Sequence, residues 1–167
     1  MKAETSIGPV TIVGKSERHY VGIRLQTPFP GMFAVVAKAL KELRKWTKTN
    51  GLPEDGPYFL RYYHCDMEGT MDVEAGLILS EPHQGEGNIT PGTLPGGQYA
   101  SLTYRGNGLR GNQALMKWAK DNHVTFAPID PALKESYVCR YEAYLTDYRK
   151  ESRKLLWDVE LSIMVQM

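Results

Sequence analysis

Cysteine is scarce in this chain of 167 residues: there are two, Cys65 and Cys139, and they show no CxxC spacing. A disulfide framework is therefore excluded as the organising element, and a reducing compartment fits better than an oxidising one. An excess of charge of one sign is lacking too, since 20 basic residues offset 19 acidic ones and the net charge is +1. That balance removes the electrostatic case for nucleic acid or an acidic membrane as partner. No apolar run approaches the ~18 residues of a membrane span, and Met1 to Ser6 lack the apolar core of a secretory signal. The expectation is a cytoplasmic protein. The four histidines, His19, His64, His83 and His123, share no ligand spacing with the cysteines, so no metal site is expected. Gly106-Asn107-Gly108-Leu109-Arg110-Gly111 lies between a predicted strand and a predicted helix but lacks the lysine and spacing of a phosphate loop. Its glycines fit a tight turn, with Asn107 as helix N-cap, and no cofactor is expected.

What is present is an internal echo. Tyr58-Phe59-Leu60-Arg61-Tyr62 and Tyr137-Val138-Cys139-Arg140-Tyr141 both read Tyr-x-x-Arg-Tyr, at an offset of 79 residues (137 − 58). His19-Tyr20-Val21 and Gln98-Tyr99-Ala100 stand at the same offset (99 − 20). Met71 to Ile78 reappears as Trp157 to Met164 at an offset of 86 (158 − 72), seven residues longer, which places an insertion around Asp147 to Glu151. Matches in one order imply a duplicated unit, with repeats at about 10–80 and 97–167 inside a single domain spanning 1–167 and a Gly- and Pro-rich link at about 81–96.

Alternating apolar residues predict strands at 10–14, 19–27, 58–65, 72–79, 97–105, 136–146 and 157–166. Phe33, Val36, Leu40, Leu43 and Trp46 recur at helical spacing up to Asn50-Gly51, and Leu115, Trp118 and Ala119 mark a second helix over about 108–123. Lys38, Lys41, Arg44, Lys45 and Lys48 form the solvated side of the first helix. Each half then reads β-α-β-β, so the fold class is α+β, an antiparallel sheet with one helix per unit. Two such units related by a pseudo-twofold axis would leave a central groove between them.

Alternation along 136–146 separates Tyr137, Cys139, Tyr141, Ala143 and Leu145 from Val138, Arg140, Glu142 and Tyr144. The first set is expected to meet the helix, and the second to face the groove. On the 79-residue offset, Glu142 takes the place of Tyr63. An acid where the other copy has an aromatic ring is a functional lead: Glu142 would hold a cationic aromatic ligand or act as a general base. The competing reading pairs it with Arg61 or Arg140 in a structural network.

The duplicated β-α-β-β order, Leu94-Pro95-Gly96-Gly97-Gln98-Tyr99-Ala100 with Tyr104-Arg105-Gly106, and Arg140 to Asp147 resemble GyrI-like small-molecule-binding proteins. The resemblance covers nearly the whole chain, and its most specific part is Glu142-x-Tyr144. It implies a duplicated SHS2-type module whose strand glutamate, Glu142, meets a ligand in an aromatic groove. Tyr62, Tyr63, Tyr144, Trp46 and Trp157 are the wall candidates, with Arg140 beside them. Relatives that regulate transcription carry a helix-turn-helix domain, for which this chain has no spare residues, so direct DNA binding is not expected. Some stand-alone members are cyclopropanoid cyclopropyl hydrolases. In that role Glu142 would activate water and Tyr104 would stabilise the developing phenolate. The alternatives are a drug-binding or sequestering module with no chemistry, and a gyrase-inhibitor-like interaction protein. Edge strands would support a homodimer, though no residue demands one.

Overall fold

The computed structural model describes residues 4–54, 56–133 and 135–166. Its elements are, in chain order, β1 (Ser6–Ile7), β2 (Thr11–Lys15), β3 (Arg18–Pro28), α1 (Met32–Thr49), β4 (Tyr58–His64), β5 (Thr70–Leu79), β6 (Thr90–Leu94), β7 (Gly97–Arg105), α2 (Gly108–Asp121), β8 (Arg140–Tyr144), a 3-10 turn (Lys154–Leu156) and β9 (Asp158–Met164). Apolar period decides each type. Met32, Val36, Ala39, Leu40, Leu43 and Trp46 form the buried stripe of α1. The helix starts after Gly31, whose φ of 81° suits glycine, and the chain leaves it through Gly51 at φ 62°. Asn107 caps α2, its side chain accepting from the Arg110 backbone N–H at 3.3 Å.

The fold is α+β, and the strands form one antiparallel sheet in the order β1-β7-β9-β8-β4-β5-β3-β6, with β2 also paired to β7. Such a sheet cannot lie flat. From β7 to β6 the path crosses six strand spacings, about 29 Å at ~4.8 Å each. Yet Leu94 of β6 is joined to Gly97 of β7 by three Cα steps, at most about 11 Å. Lys15 to Arg18 makes the matching short link from β2 to β3. The sheet therefore curls until its two ends meet.

Curling gives each face its own core. Tyr20, Phe59, Ile78, Leu94, Tyr99, Cys139, Tyr141 and Ala143 pack together inside the curl, with strands from both ends contributing. The outer face carries Val21, Ile23, Leu60, Tyr62, Val73, Ala75, Leu77, Ala100, Leu102, Tyr104, Val159, Leu161 and Ile163, packed beneath the helices. α1 lies over β3 and β5, and α2 over β7. The middle strands β4 and β8 thus lie between the two helices on the outer face.

Three expectations change. Thr90–Leu94, read as part of a link, is strand β6 and pairs with β3. Of residues 136–146, only Arg140–Tyr144 is ladder strand. The two faces of that strand are also reversed: Cys139, Tyr141 and Ala143 fill the curl, whereas Glu142 and Tyr144 share the helix-bearing face. Alternation separates two faces, but when both are buried it cannot say which one meets the helices.

Candidate functional site

Glu142 lies at the centre of β8, flanked across the ladders by Leu60 and Leu161, and is 4% exposed. With hydrocarbon on both sides, its oxygens depend on donors from the layer above. Two arrive. The Tyr104 hydroxyl donates to Oε2 at 3.2 Å, and the Asn112 side-chain amide donates to Oε1 at 3.2 Å. The same Asn112 accepts from Arg140 Nη2 at 2.5 Å, and Arg140 Nη1 donates to the Tyr137 hydroxyl at 2.7 Å. Arg140 and Glu142 are thus coupled through an amide, and none of the ion pairs among the described residues includes Glu142.

Glycines place Tyr104. A Cβ on Gly111 would lie 2.7 Å from ring atom Cδ1 of Tyr104, and one on Gly108 would lie 3.0 Å from its hydroxyl. Only a side-chain-free helix face lets the Tyr104 ring lie against α2 with its hydroxyl turned to Glu142. This explains the glycine-rich stretch better than turn geometry alone, although Gly106, at φ 100°, does make the turn.

Around the carboxylate stand aromatic rings. Tyr144 tilts against Trp157 at 5.4 Å between centroids, and the Arg140 guanidinium lies 5.7 Å from the Tyr62 ring. The Tyr144 hydroxyl and Arg140 Nε are buried without a hydrogen-bond partner. Burial, and then the Glu142 charge, push the Tyr104, Tyr62 and Tyr144 hydroxyls far above the usual tyrosine range. Burial pushes the nearby Cys65 thiol up to about 11, against the pull of Arg140. These neighbours stay protonated at neutral pH and add no charge of their own.

The β8–β9 connection lies over this cluster. Tyr148 packs edge-on against Tyr58 at 5.8 Å, lies under the Arg44 guanidinium at 3.9 Å, and donates to Glu54. Trp157 Nε1 donates to the Glu151 carbonyl at 2.6 Å. Lys154 is exposed as a residue, but its Nζ lies 5.3 Å from the Tyr144 ring and 4.7 Å from Phe33 of α1, a ring 51% exposed at the rim. Burial holds the Lys154 ammonium below the ordinary lysine range, and Glu142 works the other way.

The structure brings together Glu142, Tyr104, Tyr62, Arg140, Tyr144 and Trp157. Two wall candidates stand elsewhere. Tyr63 projects into the curl, where its hydroxyl donates to Glu74 at 2.6 Å, and the residue opposite Glu142 is Leu60. Tyr63 and Glu142 therefore stand on opposite faces of the sheet. Trp46 lies about 20 Å along α1 from Phe33 by the rise per residue and packs against His83. The network proposed for Arg61 also lies inside the curl, with Tyr20, Tyr63 and Glu74. Asn112, Phe33 and Lys154 were not anticipated. An asparagine inside a helix, where it is intrinsically unfavourable, was the one available signal for the first.

Two open depressions lie apart from this cluster near β3. One, about 200 Å³, is lined by His19, Tyr20 and His83, and the other, about 290 Å³, by Glu17, Arg18 and Ile78.

Comparison with known proteins bears on both fold and family. The C-terminal domain of EcmrR superposes with a TM-score of 0.67 at 19% identity, covering 95% of this chain and 98% of that one. SAV2435 bound to tetraphenylphosphonium gives 0.59 at 10% identity, over 95% and 94% of the two chains. A hydrolase from Listeria innocua gives 0.58 at 10%, over 99% and 93%. At such identities these likenesses establish the fold. No curated protein sequence matches the chain. The sequence model of the GyrI-like small molecule binding domain matches residues 8–166. The chain belongs to the GyrI-like small-molecule-binding domain family.

Proposed function

We propose that the protein binds an aromatic or apolar small molecule in the channel between α1 and α2, with Glu142 at its floor. The observation that carries this reading is a buried carboxylate held by Tyr104 and Asn112 among the rings of Tyr62, Tyr144 and Trp157, with no ion-pair partner among the described residues. A purely structural acid at that position would be neutralised by a direct partner, because burying a charge is costly. In this reading the chain is one domain of two β-α-β-β units, β3-α1-β4-β5 and β7-α2-β8-β9, related by a pseudo-twofold axis through the β4–β8 ladder. The strand order supports it: β7-β9-β8 read inward from one end corresponds to β3-β5-β4 from the other. EcmrR and tetraphenylphosphonium-bound SAV2435 share this fold.

A second reading is hydrolysis of cyclopropane-bearing DNA-alkylating compounds. Glu142 would take a proton from water as the water oxygen bonds to the cyclopropane CH₂. The ring carbon–carbon bond breaks and its electrons pass to the conjugated carbonyl, which becomes a phenolate and then a phenol. The fixed, doubly hydrogen-bonded Glu142 favours this role. The Tyr104 hydroxyl, already donated to Glu142, is poorly placed to meet the phenolate, and so binding is the preferred reading.

The test is incubation with such an alkylator, followed by mass spectrometry and by tryptophan fluorescence, with Glu142→Gln in parallel. Saturable quenching with no water adduct supports binding alone. A catalytic adduct that vanishes in the variant supports the hydrolase. No quenching and no adduct would overturn both.

A further inference from the structure

Lys154 is an exposed residue of the cover whose ammonium turns back toward the aromatic cluster. Its ammonium stands over Tyr144 on the floor and over Phe33 on the α1 rim, at cation–π distances. Its backbone lies on the short turn Lys154–Leu156, which is tied to the fold through Trp157 and its hydrogen bond to Glu151. The side chain thus inserts a tethered cation into an aromatic site beside a buried carboxylate.

The charges can be counted. Glu142 is the carboxylate on the floor. Arg140, buried and with Nε unpartnered, supplies one cation, and Lys154 supplies another. Farther along the cover, Arg44 and Lys48 stand over Tyr148, with Glu54 accepting from the same tyrosine, and Arg149 is paired with Asp147. The tyrosine hydroxyls and the Cys65 thiol add no charge. Around Glu142 the basic groups therefore outnumber the carboxylates by one, although none of them pairs with it directly.

We infer that Lys154 is the charge-specificity residue of this channel: its ammonium occupies the place where a cationic ligand would stack, so the channel takes neutral or anionic aromatic molecules and turns away lipophilic cations. The inference rests on the channel being the ligand site and names the class of ligand. A lipophilic cation would have to expel Lys154 from both rings and still meet Arg140. An anion of the same shape can leave Lys154 in place and gain from both basic groups.

Tetraphenylphosphonium and tetraphenylborate have nearly one shape and opposite charge, and their binding is measured by calorimetry in sodium buffer. The parent protein is expected to prefer the borate by about tenfold or more, the scale of one such contact. K154M should erase that preference and K154R should keep it, with circular dichroism confirming that both variants fold. A parent that prefers the phosphonium, or a preference unchanged in K154M, overturns the inference while leaving the channel as a ligand site. If neither ion binds but the alkylator of the preceding test does, the charge inference falls alone. If no ligand of any charge binds, the channel reading falls and takes the inference with it.

Discussion

Leu60 and Glu142 occupy one rung of the β4–β8 ladder, a hydrocarbon and a carboxylate facing each other at the centre of the sheet. Their contributions should separate cleanly. Leu60 is fully buried, and Leu60→Ala is expected to cost about 2–5 kcal/mol in thermal or urea unfolding. Glu142→Gln keeps the shape and one of the two acceptors used by Tyr104 and Asn112, and should cost no more than about 1–3 kcal/mol while changing ligand binding. The reverse pattern, a stable Ala variant and an unfolded Gln variant, would make Glu142 a structural residue.

Gly111 sets two effects against each other. Replacing glycine by alanine within a helix favours the helix by about 1 kcal/mol. Here the new methyl would meet ring atoms Cδ1 and Cγ of Tyr104 at 2.7 and 2.8 Å, and that ring is packed and cannot swing away. Overpacking of this kind costs about 1–3 kcal/mol, so G111A should destabilise the protein and weaken binding by loosening the Tyr104 contact with Glu142. A variant more stable than the parent would show that the ring has room to move.

Asn112 joins the two charged residues of β8. Asn112→Ala leaves the Arg140 Nη2 and Glu142 Oε1 contacts unmade, a loss of about 1–3 kcal/mol if water does not replace them. Leucine at the same site should be no better, because the loss lies in hydrogen bonding and not in volume. Equal melting temperatures for parent, alanine and leucine proteins would remove Asn112 from the network.

Buried tyrosines predict an alkaline limit. Tyr20, Tyr99 and Tyr104 are held well above the ordinary range, chiefly by burial, and Tyr63 is pushed up to about 12. Above about pH 10 the unfolded chain sheds phenolic protons that the folded chain retains, so stability is complete below that pH and falls as pH rises. Tyrosinate absorbance and loss of near-ultraviolet circular dichroism should therefore appear together. Full ionisation near pH 10 with the fold intact would contradict the burial of these rings.

Tyr148 anchors the cover. Removing its ring forfeits the packing on Tyr58 and Arg44, about 1 kcal/mol locally. In Tyr148→Ala, amide exchange should rise in residues 147–156 and stay unchanged in the β4–β8 ladder. Equal acceleration in both would mean that the cover and the central strands open as one unit.

Much of this was legible in the sequence, for physical reasons. Strand and helix periods located β3, α1, β4, β5, β7, α2 and β9, and Asn107 was recognisable as a cap. Glu142 stood out as an acid in an aromatic strand, and Tyr104 came only with the family resemblance. What misled was side-chain similarity. Tyr58-x-x-Arg61-Tyr62 and Tyr137-x-x-Arg140-Tyr141 look alike, yet Arg61 reaches Tyr20 inside the curl while Arg140 bonds Asn112 beneath α2. Leu60 and Tyr62 of β4 share the helix-bearing face with Glu142 and Tyr144 of β8, while Phe59, Tyr141 and Ala143 fill the curl, so equivalent positions of these strands differ by an even number and not by the motif's 79. An odd error in register reverses the face of every side chain. Lys154 left no trace, because it sits in an irregular connection whose place depends on where Tyr148 and Trp157 find their partners.

The short links Lys15 to Arg18 and Leu94 to Gly97 have a mechanical meaning. β2 precedes β3 in the chain but is hydrogen-bonded to β7, and β6 precedes β7 but is hydrogen-bonded to β3. Each half of the molecule therefore holds a strand lent by the other, like two interlocked hands. A protein nicked between residues 81 and 88 would not fall into two independent pieces. Its fragments would stay clasped in buffer, separate only in denaturant, and regain structure at a rate that depends on the concentration of both.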